Sequence, residues 1–150
     1  MRTLTRWTMS LGLYILCTTL FAASAETKVS EAYHQWCTTL STAKNPQNIV
    51  KLYAPDATLL PTFSPKILSN RTDEITHYFE KLLKLHQLKC STDRLIVVML
   101  GDTAVGTGFY TFSYLDEQHH VKKTPARFTF VYRKENQQWM IVHHHSSVLP

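Results

Sequence analysis

The sequence predicts an α+β domain, with helices at the N-terminal end packed on one face of a curved antiparallel sheet. Three observations carry this expectation. Between Glu26 and Leu85 the apolar residues recur at spacings of three and four, the period of a helix face. From Leu88 onward the pattern changes to strand-like runs rich in β-branched and aromatic residues. These runs are separated by turn-forming stretches at Gly101-Asp102, Asp116–His120 and Glu135–Gln137. Helices followed by a run of hairpin-linked strands make an α+β domain. A length of 150 residues allows one domain, and the chain contains no internal repeat or low-complexity tract.

The first 25 residues read as an export leader. Arg2 and Arg6 form a positive start, Leu11 to Ala22 is mostly apolar, and Ala23-Ser24-Ala25 is a small-residue cleavage site. The apolar run is too short for a stable membrane span; the alternative is a retained anchor. The expected mature chain starts near Glu26 in the periplasm or outside the cell, with no membrane association after cleavage. Its 14 basic against 11 acidic residues leave a charge of +3, with histidine neutral. No Lys/Arg run is present, so nucleic acid is not an expected partner. Two cysteines remain, Cys37 and Cys90. They are either a disulfide, which an oxidising compartment favours, or two buried thiols.

Each element follows from local sequence. Val29, Ala32, Tyr33, Trp36, Cys37 and Leu40 make one apolar stripe, predicting a helix over Glu26 to Ala43. Asn45-Pro46 starts a second short helix, with Ile49, Val50, Leu52 and Tyr53 on its buried side. Ala54-Pro55-Asp56 predicts a turn. Ala57 to Phe63 predicts an edge or bulged strand because Pro61 interrupts it. A short strand is expected near Ile67. Asp73 to Leu85 is a helix capped by Thr72 or Asn70, with Ile75, Tyr78, Phe79, Leu82 and Leu83 as its stripe. Strands follow at Leu88–Leu100, Thr103–Leu115, Val121–Lys134 and Trp139–Ser147, with Gly106 and Gly108 at bends that let the sheet coil into a cone. In the last strand simple alternation puts Trp139, Ile141, His143 and His145 on one face and Met140, Val142, His144 and Ser146 on the other.

Several pieces together resemble a known family: Leu52-Tyr53-Ala54-Pro55-Asp56-Ala57, Tyr78-Phe79-Glu80, Leu100-Gly101-Asp102-Thr103-Ala104, Tyr114-Leu115-Asp116, and above all Trp139 to Ser147 with Pro150. The chain resembles the nuclear transport factor two-like superfamily, a cone-shaped, cystatin-like fold that also includes ketosteroid isomerases and SnoaL-type cyclases. Within it the likeness is to the association domain of calcium/calmodulin-dependent protein kinase II and to small bacterial proteins of the SgcJ/EcaC type. The resemblance implies a homodimer or higher oligomer and a pocket for a small organic ligand, with no kinase activity. It also implies an alternative, a SnoaL- or isomerase-like enzyme acting inside the cone. Where the association domain has arginines in its pocket, this chain has Ser146 and Phe130.

His144 is the pocket candidate and could serve as donor, acceptor or general base near neutral pH. His143 and His145 have a possible metal-ligand spacing, but no second ligand set accompanies them, so no metal is expected. Asp56 is either a turn aspartate or the carboxylate base that an isomerase of this fold needs. Tyr53, Tyr78, Tyr110 and Tyr114 supply hydroxyls, more in the manner of core residues than of catalytic ones. Arg127 binds an anion if it points inward and is a solvated strand residue if it points outward. The candidate site is therefore His144, Asp56 and Tyr110 for catalysis, and Arg127, His144, Tyr53, Tyr78 and Ser146 for ligand binding. No nicotinamide, flavin or phosphate-loop motif is present, so no cofactor is expected.

Overall fold

The computed structural model describes the backbone of residues 9–150 and the side chains of residues 25–150. The expected leader thus falls largely outside the described residues. Helix α1 runs Met9–Thr42, beginning upstream of the expected Glu26 start. From Val29 onward it carries the predicted stripe, with Val29, Tyr33, Trp36, Cys37 and Leu40 all buried. Helix α2 (Gln47–Val50) is started by Asn45, whose Oδ1 accepts from Gln47 N at 2.9 Å.

The chain then forms strand β1 (Tyr53–Leu60), helix α3 (Thr76–Leu82) and four long strands: β2 (His86–Leu100), β3 (Thr103–Leu115), β4 (Val121–Glu135) and β5 (Gln138–Val148). Sheet order is β1-β5-β4-β3-β2. β2 to β5 form the expected antiparallel meander. β1 does not extend that pattern, because it pairs parallel with β5. A parallel neighbour needs a crossover, and here the loop after Pro61 with α3 carries the chain to the opposite edge before the meander returns.

The expected turn at Ala54-Pro55-Asp56 is corrected: these residues lie inside β1, at the register shift between Tyr53 and Thr58. An edge strand tolerates Pro55 there, since its missing N–H leaves no ladder partner unpaired. Beyond Pro61, the expected short strand is a single bridge, Leu59 to Leu68, with both backbone hydrogen bonds formed. Asn70 caps the next helical segment, Oδ1 accepting from Thr72 N and Asp73 N. Glu74 reaches back to Ser69 N and Asn70 N at 2.9 and 3.2 Å, in the manner of a capping box. The first turn, Arg71–Ile75, is π-helical before α3 begins, and α3 ends at Leu82 rather than Leu85.

α1 lies across the inner face of the sheet. Tyr33 stacks on Phe128 at 4.8 Å between ring centroids, and Trp36 meets Phe130 edge-on at 5.1 Å. A disulfide joins Cys37 of α1 to Cys90 of β2 (Cα–Cα 5.4 Å), and Ser41 Oγ accepts from Cys90 N beside it. Among the glycines of the described side-chain region, Gly108 is the one that a close approach demands: a Cβ there would sit 1.9 Å from Arg94 O, where Asp93 forms an extra residue in β2.

Candidate functional site

The inner half of β5 builds the site. Its pairing with β4 slips by one residue, so that Val131 faces His143 while Tyr132 faces Ile141 and Val142 is left over. A one-residue bulge inverts the face of everything beyond it. Ile141, His144 and Ser146 therefore share the buried face. The expected grouping of Ile141 with His143 and His145 fails for this reason.

His144 is 3% exposed. Its ring lies flat on Phe130 (3.8 Å, 17°) and edge-on to Trp36 (5.1 Å, 85°). Nδ1 is 2.9 Å from the Tyr53 hydroxyl, which accepts from Trp36 Nε1 at 3.0 Å. Nε2 is buried and has no hydrogen-bond partner among the described residues. Burial pushes the His144 pKa well below the ordinary histidine value, and the neighbouring His143 and His145 push the same way. A second cluster lies beyond it: the Tyr110 hydroxyl donates to Ser146 Oγ, and Thr62 Oγ1 hydrogen-bonds Ser146 Oγ. Burial raises the Tyr53 and Tyr110 hydroxyl pKa values, so both are protonated donors at neutral pH.

His144, Tyr110 and Thr62 line a residual cavity of about 10 Å³ with Trp36, Tyr78 and Phe112. That is room for roughly one water. Outside it a vestibule of about 590 Å³ is lined by Phe63, Leu68, Tyr78, Leu85 and Tyr114, with Lys66, Asp73, Glu74, His77 and Lys81 also bordering it. Tyr78 and Leu82 line both spaces. Of the residues singled out in the sequence, the structure brings His144, Tyr53, Tyr110 and Ser146 together in the cone, with Tyr78 at its mouth.

Two candidates lie elsewhere. Arg127 is exposed on the outer sheet face, where its Nε donates to Ser147 Oγ at 2.9 Å in a groove of about 330 Å³ shared with Arg94, Phe109 and His145. Asp56 is exposed at the sheet edge and paired with both terminal nitrogens of Arg133 at 2.9 and 3.1 Å, which holds its carboxyl below the usual range. Neither enters the cone, because each sits at a strand position that faces outward. His143 is partly buried and bonded to Thr58 Oγ1 at 2.7 Å, while His145 is exposed. Among the described residues no group of three or more His, Cys, Asp or Glu could hold a metal ion.

Two site residues were not singled out for chemistry in the sequence. Trp36 was legible only as part of a helix stripe, although a buried indole N–H needs an acceptor. Thr62, in the loop after β1, carries no sequence signal.

The comparisons with known proteins come down on one family. A profile of the calcium/calmodulin dependent protein kinase II association domain matches residues 25–150. A crystal structure from Xanthomonas campestris, provisionally assigned to that same association domain, is 38% identical over 81% of this chain and 86% of its own, with a TM-score of 0.75. A nuclear transport factor two-like superfamily protein from Salmonella enterica (17% identity, 86% and 94% coverage, TM-score 0.73) shares the fold. So does a provisionally assigned dehydratase of the same superfamily from Streptomyces avermitilis (15%, 86% and 99%, 0.75). No curated protein sequence matches. The sheet wrapped on α1 and the match over residues 25–150 place this chain in the calcium/calmodulin dependent protein kinase II association domain family.

Proposed function

We propose that this protein is an association module: two copies pack through the outer face of the sheet, and the cone is free to hold a small molecule. The observation that carries this reading is the composition of the outer face. Val98, Val105, Val131 and His143 lie in one row across β2 to β5, and Ile96, Thr107, Thr129 and His145 in the next. Ile96, Val98, Leu100 and Phe109 are 40 to 60% exposed there. A contiguous apolar patch on a sheet of this kind marks an interaction surface. The association-domain family name points the same way. A second copy fits better than an unrelated partner, since a self-complementary patch closes on itself by two-fold symmetry.

Size-exclusion chromatography with light scattering tests this directly. The wild-type protein is expected to elute as a dimer or larger. A Val98→Asp, Phe109→Asp double variant should be monomeric with an unchanged circular dichroism spectrum. A monomeric wild type at tens of micromolar would overturn the reading.

We also place the protein outside the cytoplasm. The leader pattern of residues 1–25 and the Cys37–Cys90 pair support that placement. The intact mass of protein purified from its own cells checks it, with a chain beginning near Glu26 expected. The enzyme reading draws support from His144 and Tyr110 meeting in the cone, but among the described residues no carboxylate is buried with them to act as base. Loss of turnover on an enolisable ketone in His144→Ala, with folding retained, would favour it.

A further inference from the structure

We infer that the cone of this chain binds a small uncharged carbonyl compound through the Nε2–H of His144. The inference is independent of assembly through the outer face.

The placement of protons carries the first step. The Trp36 indole N–H can only donate, so the Tyr53 oxygen accepts from it at 3.0 Å. If that oxygen also accepted from an Nδ1–H, the buried Tyr53 hydroxyl proton would have no acceptor; the arrangement that pairs both groups sends this proton to His144 Nδ1, at 2.9 Å. Nδ1 is thereby an acceptor, and in a neutral imidazole the ring proton sits on Nε2. The chain Trp36–Tyr53–His144 thus fixes one tautomer and aims a neutral donor whose own partner is missing among the described residues. A buried donor left unpaired is costly, and proteins rarely leave one without a reason.

Location and size carry the second step. His144 lines the residual cavity, which is walled from the vestibule by Tyr78 and Leu82. Tyr78 is half-buried, and its hydroxyl takes a backbone hydrogen bond from Phe63, itself 39% exposed in the loop after β1. Tyr78 and Leu82 are thus the side chains a ligand must displace to reach His144 from the vestibule, which by itself has the size that small-molecule sites have.

The surroundings decide the chemical class. Among the described residues, Thr76, His144, Ser146 and the hydroxyls of buried tyrosines are the polar groups of the interior, none of them a carboxylate, lysine or arginine, and Arg127 is on the other side of the sheet. At the inner end, beside His144, a carboxylate would be desolvated with no counter-charge, since the cations Lys66 and Lys81 border only the outer vestibule and are exposed. A cation would meet no buried carboxylate. A carbonyl oxygen on an apolar body takes the Nε2–H and packs its remainder on Tyr78, Phe63 and Tyr114.

The test uses ¹⁵N-labelled whole protein and three probes of similar size: acetophenone, ethylbenzene and benzoate. Acetophenone is expected to move the His144 Nε2–H resonance downfield and to bind roughly tenfold tighter than ethylbenzene, the ratio one satisfied buried hydrogen bond supplies. Benzoate should leave that resonance in place. In His144→Phe, which keeps the stack on Phe130, the two neutral probes should bind equally. Equal binding of acetophenone and ethylbenzene to the wild type overturns the inference. So does an Nε2–H that stays bonded to a retained water, or a benzoate response larger than that of acetophenone. If His144→Phe does not fold, the three-probe comparison on wild-type protein decides alone. A monomeric protein that still passes this test would sink the association module and leave the carbonyl site standing.

Discussion

The two faces of strands β2 to β5 come from the same residues in alternation, yet they are built for opposite ends. The inner face is a closed aromatic stack of Phe128, Phe130, Tyr110 and Tyr132 against Tyr33 and Trp36, with His144 as the one buried imidazole among the described residues. The outer face is half-wet, mixes Val98, Ile96 and Phe109 with Arg94, Arg127 and threonines, and ends at the Asp56–Arg133 pair. The difference teaches where stability and recognition reside. Packing energy concentrates where water is excluded, so inner-face changes should act on folding. Outer-face changes should act on assembly and leave the melting temperature of the monomer almost alone.

The largest expected break in this contrast is Trp36→Ala. It removes a fully buried indole and the donor to the Tyr53 oxygen, so a loss of roughly 3–5 kcal/mol is expected in urea unfolding. Next comes the link between α1 and β2. Reduction of Cys37–Cys90, or the double change to serine, opens a 53-residue separation and should cost about 2–4 kcal/mol, with the chain-entropy account at the upper end of that range. Thermal melts with and without reductant measure it.

His144 sharpens the contrast through pH. Its folded-state pKa lies well below the ordinary value of 6.5 because burial disfavours the charged ring. The unfolded chain therefore takes up a proton first as pH falls. The stability this group contributes is present above about pH 6.5 and is lost as pH drops below it toward the folded pKa. The slope approaches about 1.4 kcal/mol per pH unit at its steepest. His144→Phe should flatten the limb of the stability profile below about pH 6.5. The smallest effect belongs to Asp56→Asn. That pair is exposed, and exposed ion pairs contribute little. Its melting temperature should be indistinguishable from wild type at physiological salt.

Much of the architecture was legible in the sequence because it depends on local rules. The stripe Val29, Tyr33, Trp36, Leu40 has a helical period wherever α1 packs. Asn45 and Asn70 cap because of what their own side chains reach. Asn136 and Gln137 both adopt positive φ (46° and 69°) in the tight hairpin turn that the polar stretch Glu135–Gln137 announced. Residue type and motif point to His144, Tyr53, Tyr110 and Ser146, and the structure places these four side chains in the cone.

Other features rest on partners far away in the chain. Nothing local announces the extra residue at Val142, which is set by how β4 pairs with β5, and that single slip decides which histidine enters the cone. The parallel pairing of β1 with β5 arises only when the sheet closes, and it turns the expected Pro55 turn into an edge strand. Whether Arg127 faced inward depended on the same register, which puts it outside beside Ser147. The unpaired Nε2 of His144 is fixed by a relay from α1 through β1 to β5, three segments distant in sequence. Periodicity and capping are properties of neighbours along the chain, so composition and order alone determined the elements and the helix-on-sheet layers. Register, face and proton placement are properties of neighbours in space, and these the tertiary structure decided.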